Sequence, residues 1–422
     1  MSDGITRVPG SLGRRPDATA GIGPFRPPAR TLMGAGPSDV HPRVLEAMAR
    51  PTIGHLDPAF VAMMDELKEL LRYAFRTRNE VTFPVSGPGS VGMETCFVNL
   101  VEPGDAVVVC CNGVFGGRML ENVRRCGGVP VVVDDDWGTP VSPDKVEAAL
   151  RQHPEAKVVA LVQAETSTGV HTDPAPLVGL AHAHGCLAIV DAVTAVAGCP
   201  VDVDAWGADA VYTCTQKCLS CPPGLSPVTF SEDAVAKVRG RTTPCQSWFM
   251  DLDLQLGYWS SGARTYHHTA PVNALYGLHE ALLMLREEGL ENAWARHRRN
   301  HLALAVGLDR LGLSLFVAEQ HRLPQLNMVV VPTDVDEAAV RARLLDGFRI
   351  EIGGGLGALA GKVWRVGLMG HTSRGENVLS SLRALECALA EQGVEVENGA
   401  AENAARAALE GADGPLDDGG AA

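Results

Sequence analysis

The chain has only six lysines, Lys68, Lys145, Lys157, Lys217, Lys237 and Lys362, so a reactive amine can be sought by elimination. Lys68, Lys145 and Lys237 fall on polar faces of predicted helices, and Lys157 and Lys362 stand just before predicted strands, where solvated lysines are common. Lys217 differs. It follows the predicted strand Ala210–Cys214 in Thr213-Cys-Thr-Gln-Lys-Cys-Leu-Ser-Cys-Pro-Pro-Gly224, at the carboxyl edge of a sheet, where ligand sites of α/β proteins collect. A partly desolvated lysine there has a lowered pKa and can serve as the amine of a Schiff base; the alternative is an ordinary loop lysine. Asp191 ends the apolar run Ala188-Ile-Val-Asp191 at the same edge. A carboxylate buried there needs a cationic or proton-bearing partner, such as a protonated pyridine nitrogen, unless it caps a helix. Ser86-Gly-Pro-Gly-Ser90 joins a predicted strand to a predicted helix, Val91–Leu100, so free N–H groups and the helix dipole point at one spot, as a phosphate dianion requires. Phe115, just past another strand end, can lie flat on an aromatic ring or simply pack in the core. Arg365 stands among Val363, Trp364, Val366 and Leu368, where a charge is expensive to leave unpaired unless the strand is an exposed edge.

Short Val, Ile and Ala runs bounded by Gly, Pro or Asp must position these groups. The candidate strands are 81–86, 107–111, 129–133, 158–163, 187–190, 210–214 and 228–230, alternating with amphipathic stretches. Continuous apolar runs of this length, each followed by a helix-like segment, predict an α/β fold with a mainly parallel seven-stranded sheet covered on both faces. The large domain is expected over residues 31–285, with the long helix Val272–Glu288 bridging to a smaller C-terminal α/β domain over 286–395. That domain reads as strands 313–317, 328–331 and 363–368 with helices Val335–Leu345 and Glu376–Glu391. Residues 1–30 and 396–422 read as disordered tails rich in Pro and Gly or in Ala, Gly, Asp and Glu.

With 36 Lys+Arg against 50 Asp+Glu, the net charge of −14 argues against nucleic acid and anionic membrane surfaces as partners. No run reaches the ~20 apolar residues of a membrane span, and residues 1–30 lack a signal core. Eleven Cys, an odd number placed mostly in apolar runs, read as buried thiols of a reducing compartment. The terminal Gly-Gly-Ala-Ala is no peroxisomal address, so a cytoplasmic protein is expected.

Taken together, Gly34-Ala-Gly-Pro-Ser38, Glu165-Thr-Ser-Thr-Gly-Val170, Ile189-Val-Asp-Ala-Val193, Thr215-Gln-Lys-Cys218 with Pro222-Pro-Gly224, Tyr266-His-His-Thr269 and Lys362-Val-Trp-Arg-Val-Gly-Leu368 carry a resemblance. From about Met33 to about Leu389 the chain resembles the alanine–glyoxylate and serine–glyoxylate (serine–pyruvate) branch of the class V pyridoxal-phosphate aminotransferases. The resemblance implies an aspartate-aminotransferase-like fold, pyridoxal-phosphate fold type I, with pyridoxal 5′-phosphate as cofactor and no metal. It implies that Lys217 forms the Schiff base and moves the proton at the substrate Cα, and that Asp191 pairs with the pyridine nitrogen. Pro88, Gly89, Ser90 and Gln216 would hold the phosphate, Thr166 would sit near the ring hydroxyl and Phe115 would stack on the ring. Tyr266 and Thr269 would reach the neighbouring subunit's phosphate, which makes the expected homodimer part of the site. Arg365 would grip the substrate α-carboxylate through its bidentate fork. Gly34 and Gly36 would leave room for small substrates. The implied reaction is ping-pong transfer of an amino group from alanine or serine to glyoxylate or pyruvate, with a specialised donor such as ureidoglycine as the alternative.

Two positions depart from the pattern. Phe115 stands where many relatives have Trp or Tyr, and Pro88, where Ser or Thr is frequent, removes a backbone donor and a hydroxyl. Rival readings also exist. Cys214-x-x-x-Cys218-x-x-Cys221 has the spacing of a radical S-adenosylmethionine iron–sulfur motif, but it lies mid-chain and encloses Lys217. A zinc site lacks a nearby fourth ligand. Sulfur transfer would need a mobile-loop Cys, and the only one beyond Cys245 is Cys387, in a predicted helix. A scaffold that had lost catalysis would be expected to lose Lys217, Asp191 or Arg365, and all three are present.

Overall fold

Strands that are mostly apolar on both faces must be covered on both, and the computed structural model, which describes residues 22–260 and 264–411, gathers them into one sheet. In chain order its strands are β1 (Val81–Ser86), β2 (Ala106–Cys111), β3 (Val129–Asp134), β4 (Val158–Val162), β5 (Leu187–Asp191), β6 (Ala210–Tyr212) and β7 (Leu225–Phe230). Across the sheet the order is β1-β7-β6-β5-β4-β2-β3. Only β7 runs against its neighbours β1 and β6; the remaining pairings are parallel. Every residue of β2 and of β4 is buried, whereas edge strand β3 exposes Val129 and Val132 and tolerates Pro130. The carboxyl ends of the parallel strands carry Ser86, Cys111, Asp191 and Tyr212 to one rim.

Two helices start at that rim, α1 (Gly89–Leu100) and α2 (Val114–Arg125), and neither is capped by its own N-cap residue, Pro88 or Gly113. By contrast the helices Pro58–Phe75, Pro143–Gln152 and Glu232–Arg239 begin on Asp57, Ser142 and Ser231, whose side chains accept first-turn N–H groups. The two uncapped starts at the rim leave donors for something else to satisfy.

The expected bridging role passes to a different helix. α3 (Val272–Glu288) stays with the large domain, packing on the helices Pro42–Met48 and Pro58–Phe75. α4 (Leu290–Arg310) does the bridging, because Leu290 and Ala293 lie in the first core and Ala303, Leu304 and Leu308 in the second. The two cores therefore meet inside α4 rather than at residue 285. The start of the chain also crosses over: Thr31–Leu32 pairs parallel with Ile350–Glu351, and Met33 is buried in the second core.

The smaller domain has an antiparallel sheet of β8 (Leu326–Val330), β10 (Val363–Gly367) and β9 (Gly353–Gly354), in that spatial order. Residues 313–317, expected as a strand, lie along β8 with only an isolated bridge, Leu315 to Val329. The tail assigned to 396–422 needs correction. Residues 400–411 form a helix, α6 (Ala400–Gly411), packed on α4 and on α5 (Gly375–Glu391), with Ala401 and Ala405 fully buried. Small side chains make this possible: a Cβ at Gly307 of α4 would come 3.1 Å from Ala401 O, so the helices meet almost backbone to backbone. Glu402 ties α6 to α5 with an ion pair to Arg383 at 2.6 Å and pairs within its own helix with Arg406 at 2.7 Å. At the other end, residues 22–30 have no regular secondary structure; the rest of the expected tails, 1–21 and 412–422, lies outside the described residues.

Candidate active site

Lys217 sits in a loop braced by its own backbone. Thr215 Oγ1 donates to Pro222 O at 2.7 Å, the Cys221 N–H to Thr215 O at 2.9 Å and the Ser220 N–H to Lys217 O at 3.0 Å. Ser220 has a φ of 52°, a left-handed conformation that few residues other than glycine adopt. From the other side the chain start closes over this loop: Ser38 Oγ donates to Lys217 O at 2.7 Å and the Ser38 N–H to Gln216 O at 3.0 Å. The Lys217 ammonium donates to Ala35 O. At Gly36, where φ is +102°, the backbone favours glycine, and a Cβ would stand 2.7 Å from Lys217 Cδ, so the lysine would have to move to admit one. Burial holds the Lys217 pKa below the ordinary lysine value, and the Arg365 charge adds to the effect.

Asp191, 2% exposed, accepts the Tyr212 hydroxyl at 2.7 Å and the Val193 N–H at 2.8 Å. It caps no helix, because residues 193–198 form turns. Burial pushes its pKa up to about 7; Glu165 pushes the same way, while the two hydrogen bonds and Lys217 oppose it. A cation at this carboxylate would reverse the burden of burial.

The phosphate-loop candidates lie at the same rim. Gly89 is buried, and a Cβ there would come 3.2 Å from Cys214 Cβ and 3.3 Å from Val193 Cγ2, so the start of α1 rests directly on the ends of β5 and β6. Pro88 and Ser90 are exposed. Gln216, next to Lys217, buries its amide oxygen with no hydrogen-bond partner. Phe115 opens α2 with its N–H on Glu165 Oε2 at 3.0 Å, and the Arg118 guanidinium lies 4.7 Å from its ring centre. Thr166 is buried, and its carbonyl accepts from Arg365 Nη1 at 3.3 Å; Arg365 Nε donates to Gly354 O at 2.7 Å. Arg365 belongs to β10, the central strand of its sheet, so it is not an edge-strand arginine, and burial lowers its pKa.

An uncapped helix start, a buried carboxylate and a desolvated amine lie at one rim, and a guanidinium of the other domain reaches Thr166 beside them. The family model described as aminotransferase class-V matches residues 32–374. The chain is a class V aminotransferase. Among curated proteins it is 39% identical over 398 residues to the (S)-ureidoglycine–glyoxylate transaminase of Bacillus subtilis (strain 168), covering 90% of this chain and 95% of that one. It is 40% identical over 372 residues to the alanine–glyoxylate aminotransferase of Oryctolagus cuniculus, covering 87% and 94%. Among solved structures it superposes on an alanine–glyoxylate aminotransferase from Nostoc sp. with a TM-score of 0.86 at 46% identity, covering 87% and 97%. The ureidoglycine–glyoxylate aminotransferase of Bacillus subtilis gives a TM-score of 0.89 at 38% identity, covering 92% and 99%. Enzymes of this class depend on pyridoxal phosphate, and the fold is aspartate-aminotransferase-like.

The class V aminotransferase brings most of the sequence candidates together, but not all. Tyr266 is 66% exposed with its ring 5.5 Å from that of His55, and Thr269 is exposed. Among the described residues neither bonds to the Lys217 cluster. Gly34 does not line that cluster; its nearest neighbours are Ile352 and Gly353 of the smaller domain. Cys214, Cys218 and Cys221 are buried, and burial raises the pKa of each, Cys214 and Cys221 to about 12. They are thiols rather than thiolates, and no group of three metal-ligating side chains exists among the described residues. Two participants went unassigned in the sequence: Tyr212, the donor to Asp191, and Glu165, quoted there only as part of a string. The signal for Glu165 is a carboxylate three residues past an apolar strand, followed by a run of Thr and Ser.

Proposed function

We propose that this aminotransferase moves an amino group from alanine or serine to glyoxylate or pyruvate in two half-reactions, using pyridoxal phosphate held at the rim of β1, β5 and β6. The groups present fit that cofactor: the open start of α1, the buried Asp191 and the desolvated Lys217 match a phosphate, a pyridine nitrogen and an aldehyde in turn. When bound, the cofactor supplies an aldehyde that takes up the amino group and a ring that draws electrons from the substrate Cα. Asp191 holds the proton at the pyridine nitrogen, and Tyr212 and the Val193 N–H fix the orientation of its carboxylate. Lys217 Nζ, whose charged form burial disfavours, would hold the cofactor and carry the proton at the substrate Cα. Gly89, Ser90 and Gln216 bind the phosphate, with Pro88 shaping the loop, while Thr166 sits beside the ring hydroxyl and Phe115 on the ring. Arg365 orients the substrate by its carboxylate. Exposed Tyr266 and Thr269 complete the site of a second copy in a homodimer.

The observation that carries this reading is the contact between Gly36 and the Lys217 side chain, which puts bare backbone beside the reacting amine and favours small substrates. A ureidoglycine donor is the second reading, favoured by the similarity to the Bacillus subtilis enzyme over nearly its whole length. Eleven cysteines, all free, support a cytoplasmic setting, and among the described residues no helix is long and apolar enough to cross a membrane.

Borohydride reduction of cofactor-saturated protein followed by digestion is expected to yield a pyridoxyl peptide containing Lys217. Its absence would overturn the assignment. A panel of alanine, serine and ureidoglycine as donors, each with glyoxylate and pyruvate, separates the two readings by which donor bleaches the cofactor absorption.

A further inference from the structure

Glu165 is fully buried, yet the reaction above gives it no task. It ends the two-residue strand Ala164–Glu165, which pairs antiparallel with Val170–His171 across a tight turn. Both its oxygens are engaged from outside. Oε1 accepts the Ser167 N–H at 2.9 Å and the Ser167 hydroxyl at 2.6 Å, and Oε2 accepts the Phe115 N–H at 3.0 Å. Ser167 Oγ in turn accepts the Val114 N–H at 2.9 Å. Each of these contacts uses Glu165 as an acceptor; burial pushes its pKa up from the ordinary carboxylate value, and these hydrogen bonds oppose that.

Val114 and Phe115 carry first-turn N–H groups of α2, which the helix cannot satisfy itself. Gly113, at the N-cap, has no side chain to help, and a Cβ there would come 2.6 Å from Ser167 Oγ and run into Glu165. The cap is therefore delivered from a loop 50 residues further along the chain, and the glycine makes room for it. Acceptor oxygens at a helix start also meet the positive end of its dipole. Between the two capping residues lies Thr166, whose carbonyl accepts from Arg365 at 3.3 Å. Three consecutive residues thus hold the start of α2, the position beside the ring hydroxyl and the guanidinium of the other domain.

We propose that Glu165 is a positioning residue: by capping α2 from the 165–167 turn it sets the Phe115 ring against the cofactor, and through Thr166 it registers that ring to Arg365. The proposal rests on the reading that pyridoxal phosphate occupies this cleft. It makes Glu165 act on cofactor binding through Phe115, not through general stability.

The test uses full-length protein stripped of cofactor and reloaded, with Glu165→Ala, Glu165→Gln, Phe115→Leu and the double variant Glu165→Ala/Phe115→Leu. The pyridoxal phosphate Kd is read by protein fluorescence, and the held ring by visible circular dichroism. Glu165→Ala is expected to weaken binding roughly tenfold, the scale of a lost aromatic contact, and to diminish the dichroism. Glu165→Gln, which keeps one acceptor, should fall between. In the Phe115→Leu background the Glu165→Ala change should add less than about twofold, because coupled residues are not additive. Amide exchange at 114–116 should quicken in the cofactor-free Glu165→Ala protein. Should that variant not fold, Ser167→Ala, which removes the acceptor of Val114, is read the same way. A lowered melting temperature with unchanged Kd and dichroism would overturn the proposal, as would an equal effect of Glu165→Ala with and without Phe115. Wild-type protein that takes up no pyridoxal phosphate would defeat the cofactor reading, and this proposal with it.

Discussion

Asp191 links folding to pH in a direction opposite to that of most carboxylates. Its pKa in the folded chain is about 7, above the 3.8 of an exposed aspartate, so its contribution is complete below pH 4 and is lost as pH rises through 7. The loss is bounded at roughly 4 kcal/mol. Cofactor-free protein should therefore lose stability against Asp191→Asn between pH 4 and pH 7 in denaturant titrations; parallel curves for the two would show that Asp191 is not held in this state. Gly36→Ala meets the Lys217 side chain in a left-handed backbone, and we expect a loss of at least about 1 kcal/mol together with loss of cofactor uptake. Arg365→Lys should raise KM for amino and keto acids alike, with kcat less affected, and steady-state kinetics with both substrates checks this. Lysine scarcity and a place just past an apolar run singled out Lys217 and Asp191, but the elimination misplaced Lys68, which is buried with its ammonium on Trp259 O rather than on a polar face. Tyr212 and Glu165 were not readable, because their work depends on partners 21 and 50 residues away in the chain.

At the scale of elements, apolar run length located all seven strands of the central sheet but only half of β7, expected over 228–230 and observed over Leu225–Phe230, because Ser226 and Pro227 interrupt the run while remaining buried. Periodicity served α3 and α5 better, with bounds that differ by a residue at most from the expected 272–288 and 376–391. It failed at α6, where the buried face is made of alanine and composition alone resembles a solvated tail. Its side chains are small because α4 and α5 pass close by, a constraint invisible without the packing partner. Ala401→Leu should consequently overpack this contact and lower stability by about 1–3 kcal/mol, measured by thermal unfolding. An unchanged melting temperature would mean that α6 is not packed as described. The segment 313–317 failed for the opposite reason: it is apolar enough for a strand, but it lies at the margin of a three-stranded sheet and forms a single bridge.

For the molecule as a whole, the exposure of Tyr266 and Thr269 makes a prediction about mixed assemblies. If each copy lends these residues to the other, Lys217→Ala and Tyr266→Ala proteins, each inactive alone, should regain about a quarter of wild-type turnover when unfolded and refolded together, because half the dimers then contain one undamaged site. No recovery would show that Tyr266 serves its own chain. The other large-scale feature is the single helix that enters both hydrophobic interiors. Since α4 contributes Leu290 and Ala293 to one and Leu304 and Leu308 to the other, disorder in either compartment strips that shared rod of its support in both. Calorimetry of a single protomer's two lobes should accordingly record one endotherm rather than two, and the lobes should not be separable as independently stable fragments by cutting at the conventional border.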